Sequence, residues 1–192
     1  MKLMRLFSKC SHSSVCPAEY AGGLDSGLRR KLQNPSKFLK PFIHKGMSVL
    51  DLGCGSGFCV LDIAKLLNGD GCVVGADLQQ EMLDLVCQKL ENFSQKSLVT
   101  LHKCSDSSVG LNQKFDFILM FFMFHEMPNQ HSSLSELKGM LNSGGKIMIV
   151  EPIIHVNAKR FNSEIELARS LGFTVFARPK IFFSRAVVLE CE

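Results

Sequence analysis

From Met47 onward the chain alternates short apolar runs with amphipathic stretches, and this pattern limits the fold more than any other feature. MSVLDLG (47–53), CVVGAD (72–77), FDFILMFFMF (115–124) and KIMIVEP (146–152) read as strands buried on both faces. SLVTLHKC (97–104) alternates as a further strand, and FTVFARP (173–179) and SRAVVLEC (184–191) close the chain. Between them Phe58–Leu67, residues 79–92, Ser132–Leu141 and residues 158–171 place apolar side chains at helical spacing. Asn68-Gly69, Asn142-Ser143-Gly144-Gly145 and Gly172 supply the stops. Apolar strands separated by helices require a mostly parallel sheet covered on both faces. No helix separates the last two strands, so they pair antiparallel, giving seven strands in all.

A length of 192 residues suits one domain with a short appendage. Hydrophobic residues make up 46% and charged residues 21%, which argues against disorder. A net charge of +4 is too mild to imply a nucleic acid or an anionic membrane as partner. The densest basic cluster, Arg29-Arg30-Lys31, reads as a solvated helix face. The longest apolar stretch, Ile118 to Phe124, falls well short of the roughly 20 residues of a membrane span. MKLMRLFSKC at the N-terminus has no sustained apolar region, so no signal peptide is expected. The eight cysteines are scattered and form no CxxC, pointing to reduced thiols and a cytoplasmic protein. Residues 1–16 lack a period and read as a mobile end; Ala18 to Lys40 reads as one or two short helices broken by Gly22, Gly23 and Pro35.

Chemistry concentrates at Asp51-Leu52-Gly53-Cys54-Gly55-Ser56-Gly57, between the first strand and the first helix of the alternating region. In open parallel sheets ligands sit at the carboxyl ends of the strands. Glycines there let the backbone turn sharply and approach a ligand closely. Asp77 ends the second strand 20 residues beyond Gly57, where its carboxylate can accept hydrogen bonds from both hydroxyls of a ribose. A dinucleotide site wants G-x-G-x-x-G, and Phe58 occupies the place of its third glycine. The acid Asp51, two positions before the first glycine, opposes a pyrophosphate and favours an ammonium. S-adenosylmethionine has an ammonium, a ribose diol and no phosphate.

DLGCGSG (51–57) resembles the first motif of the class I S-adenosylmethionine-dependent methyltransferases, and GADLQQEML (75–83) their second. FDFILMFFMFHEM (115–127) is similar to their fourth strand and its following loop. LKGMLNSGGKIMIVEP (137–152) is similar to the corresponding stretch of the ubiquinone/menaquinone-biosynthesis type, with Ser143 in place of the usual proline. The resemblance covers about residues 40–192. It implies a Rossmann-like α/β fold with strand order 3-2-1-4-5-7-6 and the last strand antiparallel. It further implies that Gly53, Cys54, Gly55 and Gly57 line the methionine part of the cofactor and that Asp51 orients its ammonium. Asp77 would hold the ribose, Leu78 would pack on the adenine and Asp106 would reach the adenine amino group. A methyltransferase of this type releases S-adenosylhomocysteine. Residues 41–192 would form the transfer domain, and residues 1–40, with Tyr20, Arg29 and Arg30, a helical leader closing over the cofactor.

His125 and Glu126 follow the fourth strand and read as the catalytic pair, a general base or substrate-orienting group. Glu151 and His155 lie at the same edge and read first as loop polar residues. No close-spaced ligand set for a metal surrounds His125. Cys16, Cys54, Cys59 and Cys104 could gather around a soft metalloid acceptor, although small buried side chains explain them more simply. A Met and Phe cluster after the fourth strand could line an apolar pocket. Only six residues separate Glu151 from the next helical stretch, leaving no inserted substrate domain and favouring a small-molecule acceptor over a nucleic acid. A non-catalytic cofactor-binding module and a nicotinamide-dependent oxidoreductase are the competing classes.

Overall fold

The computed structural model describes residues 27–191. The expected mobile end over residues 1–16, Tyr20, Cys16 and the helical pattern before Gly27 lie outside the described residues.

Two short helices, α1 (Gly27–Leu32) and α2 (Pro35–Leu39), precede the sheet. Pro35 starts α2 rather than breaking a longer helix: Asn34 caps it by accepting from the Lys37 N–H, and proline suits the first turn, where its missing N–H costs nothing. There follow β1 (Ser48–Leu52), α3 (Val60–Leu67), β2 (Cys72–Asp77), α4 (Gln80–Leu90), β3 (Val99–Lys103), β4 (Phe115–Phe121), α5 (Gln130–Gly139), β5 (Leu141–Pro152), α6 (Ala158–Ser170), β6 (Phe173–Ala177) and β7 (Ser184–Cys191). The sheet has seven strands in the order β3-β2-β1-β4-β5-β7-β6. β3, β2, β1, β4 and β5 are parallel, and β7 runs antiparallel to both β5 and β6. This is the Rossmann-like arrangement the resemblance implies.

Successive side chains on each strand enter opposite cores. Val49, Phe117, Leu119, Met148 and Val150 pack with α2, α3 and α4 on one face. Leu50, Ile118, Met120, Ile147 and Ile149 pack with α5 and α6 on the other. Burial on both faces explains why these strands read as unbroken apolar runs. Asp116 fastens the strand starts, its carboxylate accepting from the Ser48 N–H at 2.8 Å and from the Asn142 amide at 2.7 Å.

Local chemistry shifts several boundaries from those the periodicity suggests. The helix expected over Ser132–Leu141 starts earlier, because Asn129 caps it by accepting from the Ser132 N–H. It also ends earlier, and Leu141 already pairs with Phe115; the Asn142–Gly145 stop becomes a bulge inside β5. Helix α3 begins at Val60, since Phe58 and Cys59 are still in the turn. The strand expected to run to Phe124 ends at Phe121, because Phe122 takes a positive φ of 63° and the chain then enters a 3₁₀ turn over Phe124–Glu126. A bulky side chain in that conformation is strained and is held only by well-determined surroundings. Here the Phe122 N–H donates to Val150 O at 2.8 Å. Among the described residues no helix is long and apolar enough to cross a membrane, and their six cysteines are all free thiols.

Candidate functional site

A cavity of about 430 Å³ lies along the carboxyl ends of β3, β2, β1 and β4. Asp51, Gly53, Cys54, Gly55, Asp77, Leu78 and Asp106 border it, as do His125 and Glu126. Gly57 does not: a side chain there would meet Val86 of α4 at 3.2 Å, so this glycine serves helix packing behind the loop.

The loop after β1 is held from three sides. The Gly53 and Cys54 N–H groups both donate to Ala76 O, at 2.8 and 3.0 Å. The Asp77 carboxylate accepts from the Gly55 N–H at 2.8 Å through one oxygen and from the Gln79 N–H at 2.9 Å through the other. Lys89 of α4 donates to Ser56 O at 2.6 Å. Gly53 has a positive φ, and a Cβ there would lie 2.7 Å from Met123 Cγ, so no side chain fits. At Gly55 a Cβ would meet nothing within 4 Å. Gly55 thus has open space beside it at the cavity edge, where a ligand can approach the backbone closely.

Two carboxylates govern the electrostatics. Asp51 is 1% exposed, and its Oδ2 has no hydrogen-bond partner. Burial, aided by the charge of Asp77, pushes its pKa up to about 8. Burial also raises Asp77, against the pull of the backbone N–H groups of Gln79, Gly55 and Leu78. A buried acid that borders a cavity and has an unused oxygen is poised for a cation, and Asp77 keeps lone pairs for hydroxyl donors. These residues fit S-adenosylmethionine: an ammonium at Asp51, a ribose diol at Asp77 and no phosphate.

Beyond β4 the turn carries His125. Its Nδ1 lies 2.5 Å from Glu151 Oε2, and its backbone N–H donates to Glu151 Oε1 at 2.9 Å. Glu151 is wholly buried, and Arg160 donates to His125 O at 2.7 Å. Glu126 Oε1 is 3.9 Å from His125 Nε2, and the His155 ring stacks on that of His125 at 5.6 Å. Burial lowers the His125 pKa, but the hydrogen bond and charge of Glu151, with Glu126, outweigh it, so the net shift is upward. Behind them Glu164, on α6, is pushed to about 7 by burial and by the Glu151 charge. The edge residues Glu151 and His155, read first as loop polar groups, thus join His125 in one assembly. The legible signal was an acid ending a fully apolar strand.

One further residue, Glu136, escaped sequence reasoning. Glu136 of α5 accepts from Ser108 Oγ at 2.7 Å and from the Val109 N–H at 2.9 Å, fixing the loop that carries the exposed Asp106. Arg29 is 6% exposed on the cavity wall rather than on a solvated helix face, although Lys31 beside it is exposed. Cys54, Cys59 and Cys104 all border the cavity, but burial raises each thiol, which opposes thiolate ligation of a soft metal.

Residues 43–172 match the model of a family described as a methyltransferase domain, well over half of the chain. The chain belongs to the class I S-adenosylmethionine-dependent methyltransferase family. A crystal structure of a SAM-dependent methyltransferase from Aquifex aeolicus superposes with a TM-score of 0.82 at 25% identity, covering 92% of this chain and 99% of that one. A demethylmenaquinone methyltransferase of Lactobacillus johnsonii is 29% identical over 130 residues, 67% of this chain and 51% of that protein. One from Staphylococcus aureus is 27% identical over 141 residues, 72% of this chain and 58% of that protein. The chain spans about half the length of the curated relatives it matches.

Proposed function

We propose that this methyltransferase moves a methyl group from S-adenosylmethionine to a small-molecule acceptor that gives up a proton to His125. The carrying observation is that His125, held by the buried Glu151, borders the same cavity as Asp51, whose Oδ2 has no partner. S-adenosylmethionine, when bound, supplies a methyl group already activated by its sulfonium. Gly53, Cys54 and Gly55 admit it closely, Asp51 faces its ammonium, Asp77 its ribose, and Leu78 and Asp106 its adenine. Alignment of two reactants on such a surface can contribute about 7–11 kcal/mol. With Nδ1–H donated to Glu151, the His125 lone pair sits at Nε2 and can accept the acceptor's proton; Glu126 orients the acceptor beside it.

The relatives named for demethylmenaquinone support a small molecule as acceptor. We assign the transfer domain to residues 41–192 and a covering role to the preceding leader. Its described part supports this reading: Arg30 pairs with Asp62 of α3 at 2.7 Å and donates to Phe58 O at 3.1 Å, tying α1 to the glycine loop. Incubation with methyl-labelled cofactor and a panel of small phenols, thiols and quinols tests the proposal. Transfer that falls at least about a hundredfold in His125→Ala, with cofactor affinity retained, is expected. Tight cofactor binding with no transfer to any acceptor would make the chain a cofactor-binding module instead.

A further inference from the structure

Glu151 holds the ring and the backbone N–H of His125, while the carbonyl side of the same turn is held from elsewhere. The 3₁₀ turn over Phe124–Glu126 presents two consecutive carbonyls, and each receives a side-chain donor from a different helix. Gln130, the first residue of α5, donates through Nε2 to Phe124 O at 2.9 Å. Arg160, in the first turn of α6, donates to His125 O at 2.7 Å. The start of α6 is itself pinned, because the Asn157 cap accepts from the Arg160 backbone N–H at 2.9 Å.

Both donors meet at one carboxylate. Glu164 Oε1 lies 3.5 Å from Gln130 Nε2 and 3.5 Å from Arg160 Nε. Glu164 follows Arg160 by four residues, so the two share a face of α6. It is 3% exposed, and its Oε2 has no hydrogen-bond partner. Contacts at 3.5 Å are weak, and a buried oxygen without a partner bears its full desolvation cost. A leucine there would strand neither donor: Gln130 keeps Phe124 O, and the Arg160 side chain is 41% exposed to water. For stability alone Glu164 is therefore a poor choice. What it does provide is a common anchor for the two donors that fix the turn carrying His125.

We infer that Glu164 is a positioning residue for methyl transfer: through Gln130 and Arg160 it sets the turn that places His125 at the cavity. This rests on the reading of His125 as the acceptor's base. Glu151 fixes the tautomer of the ring, and Glu164 fixes where the ring stands. The role needs an acceptor oxygen at Oε1 rather than a charge. Burial and the Glu151 charge push the Glu164 pKa to about 7, so the carboxyl sheds its charge easily.

Turnover with methyl-labelled cofactor and the panel of small phenols, thiols and quinols tests the inference, read beside the Kd of S-adenosylhomocysteine and the thermal unfolding midpoint. Glu164→Leu should lower kcat by about tenfold to a hundredfold, the scale of a slightly misplaced catalytic group. Its Kd should stay unchanged and its unfolding midpoint should not fall. Glu164→Gln keeps the Oε1 acceptor and should recover most of the turnover lost in Glu164→Leu. In a His125→Ala background Glu164→Leu should cost nothing further, since the two residues act as one unit. Wild-type turnover in Glu164→Leu, equal losses in the leucine and glutamine variants, a loss matched by a lower midpoint and weaker cofactor binding, or the full loss repeated in the His125→Ala background would each overturn the role of Glu164. Wild-type turnover in His125→Ala alone, or no transfer by the wild-type protein to any member of the panel, would instead overturn the reading on which it rests.

Discussion

The carboxylate of Glu151 holds His125 twice: one oxygen lies 2.5 Å from the ring Nδ1, the other 2.9 Å from the backbone nitrogen. The same side chain therefore fixes the position, tautomer and basicity of the imidazole. Glu151→Gln should preserve the backbone contact while removing the charge. Turnover is expected to fall by about tenfold to a hundredfold with cofactor Kd unchanged. The acid limb of the pH–rate profile should move to lower pH, since a charge that raises His125 is gone. An unmoved limb would show that His125 is not the titrating base.

The same pair makes stability depend on pH. The folded value of His125 lies above its ordinary 6.5, so its stabilisation is fully present below pH 6.5 and is lost as pH rises through the raised value. Urea unfolding across that window should show a decline that His125→Gln abolishes.

Asp51 gives a proton signature. With its pKa pushed up to about 8, most molecules hold a proton on it in mildly acidic buffer. Binding of a cation there expels that proton. At about pH 6.5, where an α-ammonium is still fully charged, titration in buffers of different ionisation enthalpy should report close to one proton released. Asp51→Asn should abolish the release.

Asp77 both anchors the Gly55 N–H and offers its carboxylate to the cavity. Asp77→Ala should weaken cofactor binding by about 1.5–3 kcal/mol, the range of a charge-assisted hydrogen bond. Calorimetric affinity measures it directly, and an unchanged Kd would place the ribose elsewhere.

Gly53 tests the loop. A Cβ there would sit 2.7 Å from Met123 Cγ, and φ is already positive, so Gly53→Ala should cost about 1–2 kcal/mol of stability. Met123→Ala should relieve the steric part but not the backbone part. A double-mutant cycle by urea unfolding separates the two.

The sheet was legible because its strands bury both faces, which writes them into the sequence as uninterrupted runs such as CVVGAD and KIMIVEP. The glycine loop and Asp77 were legible because close backbone approach and a strand-end acid have few other uses. What stayed hidden depends on distance along the chain. Glu151 meets His125 across 26 residues, and Gln33 reaches Phe182 across 149, so no local pattern announces either contact. Arg29 is one of three consecutive basic residues, of which Lys31 is exposed, and its packing against the phenyl rings of Phe58, Phe121 and Phe122 joins residues far apart in the chain. Helix ends moved for a similar reason: the Asn129 cap outweighs the apolar period that suggested a later start.

The most direct test is a pair of calorimetric titrations, one with S-adenosylmethionine and one with NAD. The Asp51 carboxylate beside the Gly53–Gly55 turn predicts one-to-one binding of S-adenosylmethionine in the micromolar range and no heat with NAD. Saturable binding of NAD, with none of S-adenosylmethionine, would contradict it.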